Sequence, residues 1–302
     1  MNKLDPEELF QRIAADVPTA LHEHLFVTGS LAAAYHYRTR LEGRAVNTKD
    51  ADLVVHPAGD VMSCQQMAEQ LLEIGWRRTT EKGKECHPQA TANVLADLRA
   101  IRLLPPESDA YFIEFLTYPK GDQIEQKCWI PLKVAGGWYG LPCFRYLGLA
   151  TIDLIASDVG LLYAHPAMMA LANLLSHPNV GQARIESGEM KGVPRAAKDL
   201  GRVIALAHLE GREGAEAWRD PWRHAIEQCF PKQWRDLIRG LGTGLEELLG
   251  DMHVLEQARS TTDIGLLNGM DVSADMLRAT GERLLQDVIV PLRGDVAKQP
   301  PR

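Results

Sequence analysis

The chain has 302 residues, of which 45% are hydrophobic and 24% charged, the balance of a globular protein with one or two cores. Its formal net charge of -7 argues against broad, sequence-independent DNA binding, which needs many Lys and Arg side chains on phosphates. Five cysteines without a Cys-x-x-Cys pair indicate reduced thiols, so we expect a cytoplasmic protein. No apolar run approaches the roughly 18 residues that a membrane span needs, and we expect no signal peptide.

The first half of the chain alternates short helices and strands. Three helices are predicted. The first begins at Pro6 and is capped by Asp5, the second begins at about Leu31, and the third covers about 60–74. The predicted strands cover 25–28, 51–55, 76–80, 94–104 and 111–117, with further strands or a hairpin over 128–146.

The second half has the apolar spacing of helices. The predicted helices cover 166–175, 195–209, 214–228, 231–249 and 273–291, and Pro221 is a candidate break in one of them. The fold class we predict is therefore α/β (α+β), with a mixed sheet flanked by helices. We expect an α/β domain over 1–150 and a mainly helical domain over 151–302.

Two acids stand at the start of the second predicted strand. Asp50 and Asp52 are two residues apart, and on a strand such residues point to the same side. Two carboxylates so placed repel each other unless a cation lies between them. Magnesium prefers hard oxygen ligands and keeps positions for water and phosphates. The pair therefore predicts a Mg²⁺ site of the kind that supports phosphoryl transfer.

Gly29 and Ser30 end the first predicted strand and open the helix after it. A glycine there lets a phosphate approach the backbone, and the serine adds a hydroxyl donor. The start of a helix also directs unpaired N–H groups toward an anion. This segment therefore predicts a phosphate site beside the metal site.

The segments that carry these residues are FVTGS at 26–30 and TKDADL at 48–53. Together they resemble the DNA-polymerase-β-like nucleotidyltransferase superfamily, and most closely its minimal bacterial members of the abortive-infection toxin type. The resemblance implies a nucleotidyltransferase fold, Mg²⁺ as cofactor and an NTP, such as ATP, as substrate. It assigns Asp50 and Asp52 to catalysis and metal binding, and Gly29, Ser30 and Lys49 to the nucleotide.

The resemblance also implies a third carboxylate on a later strand. Glu114, a single acid in an apolar strand, is the candidate for this catalytic and metal-binding position, with Asp97 as the alternative. In the second half, Lys198-Asp199 resembles the start of a family segment, and Lys198 is a candidate for the nucleotide. The chain departs from the family at Asn173, where a Lys is usual, and at Gly201, near which an acid is usual.

These patterns predict an enzyme that moves a nucleoside monophosphate from an NTP to a hydroxyl of an acceptor. The resemblance leaves a tRNA, a protein or a small molecule open as acceptor, and a toxin paired with an antitoxin as one biological setting. The alternative is a catalytically inactive module that binds nucleotides or proteins. A sugar-nucleotide transferase is a third hypothesis, but it predicts a longer α/β region before the Asp-x-Asp motif.

Overall fold

The computed structural model describes residues 4–42, 48, 50–80, 86–95, 98–121, 127–180, 183–185 and 191–298. The chain forms two compact units, Met1–His165 and Pro166–Arg302. The division into domains after residue 150 stays a prediction.

Short strands make up most of the regular structure of the first unit. They are β1 (Leu25–Thr28), β2 (Asp50–Val55), β3 (Arg77–Thr79), β4 (Arg102–Leu104), β5 (Phe112–Leu116), β6 (Lys127–Val134), β7 (Gly137–Phe144), β8 (Ile155–Ala156) and β9 (Leu162–Tyr163). Seven of them form one sheet in the order β3-β4-β5-β2-β1-β9-β8, while β6 and β7 form a hairpin.

The seven-stranded sheet is mixed. Strand β1 runs antiparallel to β2 and parallel to β9, whereas β2 runs parallel to β5. Strand β4 is antiparallel to both β3 and β5. All four residues of β1 are buried, as a central strand covered on both faces requires. The predicted mixed α/β sheet is therefore confirmed.

Three helices of the first unit are α1 (Pro6–Asp16), α2 (Gly29–His36) and α3 (Val61–Glu73). The predicted cap of α1 is confirmed, because the Asp5 carboxylate accepts hydrogen bonds from the backbone N–H groups of Glu7 and Glu8. Helix α2 begins at Gly29, slightly earlier than predicted, and packs against β1 and β2. Its first turn therefore lies directly at the end of the central strand.

Two of the sequence expectations for the strands meet different outcomes. The hairpin expected within 128–146 is confirmed, with Val134 paired to Gly137 across a two-residue turn. The strand predicted over 94–104 is wrong in length, because among the described residues of that range Arg102–Leu104 form the strand that joins the sheet. Val94 and Leu95 are exposed, so their apolar side chains do not contribute to the core.

The second unit is helical. Its helices are α4 (Pro166–Val180), α5 (Arg195–Glu210), α6 (Arg212–Glu216), α7 (Arg219–Cys229), α8 (Trp234–Gly240), α9 (Thr243–Gly250), α10 (Met252–Ile264), α11 (Ala274–Leu284) and α12 (Val290–Ala297). A π-helical segment, Leu285–Ile289, joins α11 to α12. Helix α5 contacts α4, α10 and α11 and forms the centre of this unit.

Helix boundaries in the second unit differ from the prediction in several places. The predicted helix over 214–228 is two helices, α6 and α7, which are separated at Ala217 and Trp218. Pro221 does not break α7, because it lies in the first turn, where a missing N–H is tolerated. The predicted helix over 231–249 is two helices, and Gly242, with φ of 81°, lies between them. Helix α10 was not predicted. Among the described residues, no helix combines the length and apolar composition needed to span a bilayer.

Candidate functional site

The turn from β1 into α2 has a geometry that requires glycine. Gly29 has φ of 75°, in the left-handed region that side chains disfavour. A Cβ atom at this position would lie 2.6 Å from Oδ2 of Asp52. The backbone of the predicted phosphate segment and the carboxylate of the predicted metal motif therefore approach each other more closely than a side chain at position 29 would permit.

The pairing of β1 with β2 explains this approach. Thr28, the last residue of β1, lies opposite Asp52 in the antiparallel register. Asp50 and Asp52 share one face of β2, while Ala51 between them is buried on the other face. Asp50 is exposed and Asp52 half-buried, so the pair lies at the edge between the core and solvent.

Glu114 lies beside this acidic pair. Strands β2 and β5 are parallel, and their register places Glu114 directly opposite Asp52. Residues paired across a sheet share a face, so Glu114 is on the same face as both aspartates. Its neighbours in sequence, Ile113 and Phe115, are buried on the opposite face. The sheet thus gathers on one face the three acids that the sequence singled out.

An arginine from the next strand pairs with Glu114. Nε of Arg102 lies 3.1 Å from Oε2 of Glu114, and its Nη2 lies 3.3 Å from Oε1, which makes the contact bidentate. The two side chains are only 17% and 13% exposed, so the pair is screened little by water. Both oxygens of the proposed third carboxylate are therefore engaged by a guanidinium group.

Asp50 has a hydrogen-bonding partner of its own. The Thr48 hydroxyl lies 2.6 Å from Oδ1 of Asp50 and 3.1 Å from the backbone oxygen of Asp50. Thr48 is buried, which restricts the orientation of its hydroxyl group. The threonine of the 48–53 segment therefore orients the first aspartate of the motif.

Some of the predicted site residues lie elsewhere. Lys49 and Asp97 lie outside the described residues. Lys198 is on α5, in the second unit, and is half-buried. Within the described part of the chain, no three His, Cys, Asp or Glu side chains form a group placed to hold a metal ion. The roles assigned to Gly29, Ser30, Lys49, Asp50, Asp52, Glu114 and Lys198 therefore stay predictions.

The two departures in the second half, Asn173 and Gly201, both have contacts within the helical unit. The Asn173 amide donates a hydrogen bond to the backbone oxygen of Met169, one turn earlier in α4. Gly201 on α5 is buried against α10, and a Cβ there would lie 3.1 Å from the backbone oxygen of Ala258. Helix packing therefore accounts for Gly201.

The acid next to Lys198 is in an unusual environment. Burial raises the pKa of Asp199, and the positive charges of Arg202 and Lys198 act in the opposite direction. Asp199 is half-buried, so solvent still reaches part of it. A carboxylate in this position depends on nearby cations to remain ionised.

Sequence reasoning missed Arg102. It lies within the strand predicted over 94–104, which contains Arg99 as well, so the sequence does not single it out as the partner of Glu114. Pairing the two required the β4–β5 register, which places Arg102 opposite Glu114. The sequence pattern alone does not contain that register.

Comparisons with known proteins provide no family assignment. No family model and no curated protein matches the chain. One solved structure that matches is described as the STING-associated CdnE c-di-GMP synthase from Capnocytophaga granulosa. The identity is 14%, the match covers 98% of this chain and 84% of that one, and the TM-score is 0.26. A likeness at this level supports no conclusion about this protein's fold or activity.

Proposed function

We propose that the first unit is a Mg²⁺-dependent nucleotidyltransferase, which moves a nucleoside monophosphate from an NTP to a hydroxyl group of an acceptor. The observation that carries this proposal is the close approach of Gly29 to Asp52. A Cβ atom added at Gly29 would lie 2.6 Å from Oδ2 of Asp52. It brings the first turn of α2, which favours anions, next to a carboxylate pair, which favours a cation. An NTP with its metal ion carries both charges.

The donor set suits magnesium. Asp50 and Asp52 offer hard carboxylate oxygens at a partly exposed edge, where water and phosphate oxygens complete the coordination. We therefore assign Mg²⁺ to these two residues. When bound, it would neutralise charge on the phosphates and on the oxygens that enter and leave.

The other residues have separate roles in the proposal. The backbone N–H groups at the start of α2 and the Ser30 hydroxyl would hold the β- and γ-phosphates. Lys49 would supply positive charge to the triphosphate. Glu114 would accept the proton of the acceptor hydroxyl, and Arg102 would orient its carboxylate.

The test measures binding and turnover separately. Calorimetry with an NTP and Mg²⁺ is performed on the wild-type chain, on Asp50→Asn and on Asp52→Asn. We expect each substitution to weaken Mg²⁺-dependent binding at least about tenfold, a change of ~1.4 kcal/mol. Glu73→Gln is the matched control, because Glu73 is an exposed acid on α3 in the same unit. Binding that ignores both Asp substitutions would refute the shared site.

A second candidate function is a nucleotide-binding or protein-interaction module without catalysis. The bidentate Arg102–Glu114 pair favours it, because it engages both oxygens of the carboxylate that would complete the catalytic set. Pyrophosphate release from labelled NTP distinguishes the two. Metal-dependent binding by the wild type without any release supports the inactive module, and release that is lost in Glu114→Gln supports the enzyme.

The acceptor is a further part of the proposal. Incubation with α-labelled NTPs and cell extract would attach label to a tRNA, a protein or a small molecule, and electrophoresis and chromatography separate these three. A toxin role predicts that expression of the wild type slows growth, that Asp52→Asn does not, and that co-expressed antitoxin restores growth. Equal growth with both variants contradicts the toxin role and leaves the enzymatic assay unaffected.

A further inference from the structure

The second unit contains a cavity of about 160 Å³ between α5, α6 and the segment from α11 into the π-helix. That volume is close to the ~150 Å³ of cavities that hold a benzene molecule and below the ~300 Å³ of drug-sized sites. Its apolar lining is contributed by Ala207, Ala215, Leu284 and Val288, all buried. The cavity therefore suits a small molecule with an apolar portion.

A hydrogen-bonded group lies in the lining. The buried Thr280 hydroxyl donates to the backbone oxygen of Met276 at 2.9 Å and accepts from Nη2 of Arg283 at 3.2 Å. Nδ1 of His208 lies 3.5 Å from the same hydroxyl oxygen. Burial and the charge of Arg283 lower the pKa of His208, so its ring is neutral at neutral pH. With Nδ1–H directed at Thr280, Nε2 remains a hydrogen-bond acceptor.

Charged side chains of both signs complete the lining. Arg212 and Glu216 come from α6, and Arg283 and Asp287 come from α11 and the π-helical segment. Within the described residues, none of these four takes part in an ion pair. The cavity therefore presents two cations and two anions without an ion pair among them, and Arg212, Glu216 and Arg283 are exposed to solvent.

The π-helical segment has a local cause and a local effect. The backbone N–H of Val290 bonds to the oxygen of Leu285, five residues back, and Pro291 has no N–H to offer the carbonyl of Asp287. Such segments widen a helix and occur often at functional sites. Here the widened turn places Asp287 and Val288 in the cavity lining.

We propose that this cavity binds a small zwitterion with an apolar side chain, of the α-amino acid class. The carboxylate of such a ligand complements Arg283 and Arg212, and its ammonium group complements Asp287 and Glu216. A polyanion such as a nucleotide would meet repulsion from both acids, and a ligand with one charge would leave the opposite pair uncompensated. The apolar lining takes the side chain.

The experiment uses the full chain and measures binding by calorimetry and by ligand-dependent change in the unfolding temperature. The ligands are leucine, methionine and phenylalanine. Two analogues of leucine each lack one charge: 4-methylpentanoate has no ammonium group, and 3-methylbutylamine has no carboxylate. We expect at least one of the three amino acids to bind. We expect each single-charge analogue to bind at least about tenfold more weakly than the amino acid that binds best.

Variants locate the site. Arg283→Gln and Asp287→Asn should each weaken amino acid binding at least about tenfold, whereas Arg283→Lys, which keeps the charge, should weaken it less. Arg239→Gln is the matched control, because Arg239 is an exposed arginine on α8 that does not line the cavity. Circular dichroism and the unfolding temperature without ligand show whether each variant is folded.

Three results would overturn the proposal. The first is no binding of any of the three amino acids at up to about 10 mM, far above the Kd of a useful site. The second is unchanged binding in both folded variants, Arg283→Gln and Asp287→Asn. The third is tighter binding of a nucleotide than of the amino acids, with a dependence on Arg283, because it would assign the cavity to an anion.

Discussion

Substitution of Gly29 by alanine tests the link between the proposed phosphate segment and the proposed metal motif. Two effects act at this position. The left-handed φ of 75° costs an alanine about 1–2 kcal/mol, and restriction of the unfolded chain returns about 0.4–1 kcal/mol. The net backbone effect is therefore a loss of about 1 kcal/mol.

The second effect is steric. The new Cβ would lie 2.6 Å from Oδ2 of Asp52, whereas ordinary contact begins at 3.4 Å. The carboxylate must move by the difference, 0.8 Å, which takes it away from its preferred rotamer at a cost of ~0.5–1.5 kcal/mol. In total we expect a loss of about 1.5–2.5 kcal/mol in the free energy of unfolding. A displacement on the order of 1 Å also lowers a reaction rate by up to ~100-fold.

Gly160→Ala is the matched control for Gly29→Ala. Gly160 has φ of 80° in the same unit, but a Cβ there would meet nothing within 4 Å. Urea unfolding should show the backbone loss in both variants, and calorimetry should show weakened Mg²⁺-NTP binding in Gly29→Ala alone. Equal nucleotide affinity in the two variants would refute the reasoning, because it would mean that the position of Asp52 does not matter to the ligand.

Three further predictions test the packing and electrostatics. Arg102→Gln should destabilise the fold by about 2–3 kcal/mol in urea unfolding, because it leaves the Glu114 charge half-buried and uncompensated, and Glu114→Gln added to it should recover part of the loss. Burial and the charge of His24 lower the pKa of His56 in the folded protein. Below about pH 6.5 the unfolded state therefore binds more protons than the folded state, and the free energy of unfolding decreases as the pH is lowered. His56→Phe should remove up to ~1.4 kcal/mol per pH unit from this dependence. Gly201→Ala should destabilise by about 1–2 kcal/mol, because its Cβ would crowd α10.

Each of these has a result that contradicts it. A double variant at Arg102 and Glu114 that is less stable than Arg102→Gln alone would show that the uncompensated charge is not the cause of the loss. For His56, the control is His253→Gln, because His253 is exposed. This variant should keep the wild-type dependence of the free energy of unfolding on pH. A more stable Gly201→Ala would show that the gain in helix propensity exceeds the crowding.

The sequence by itself determined the parts of the site that depend on neighbouring residues. The spacing of Asp50 and Asp52 places both side chains on one face of a strand, and Gly29-Ser30 marks the passage from a strand into a helix. The Asp5 cap and the β6–β7 hairpin were predictable for the same reason. Turn chemistry and side-chain periodicity are local properties, so a single chain shows them without knowledge of its fold.

The tertiary structure decided which of these parts meet. The β2–β5 register places Glu114 opposite Asp52, the β4–β5 register supplies Arg102, and the β1–β2 pairing brings Asp52 against Gly29. In the second unit, packing against α10 accounts for the glycine at position 201, where the family pattern suggested a loss of function. Strand register and helix packing join residues that are distant in sequence, and the free energy that selects them comes from burial over the whole unit.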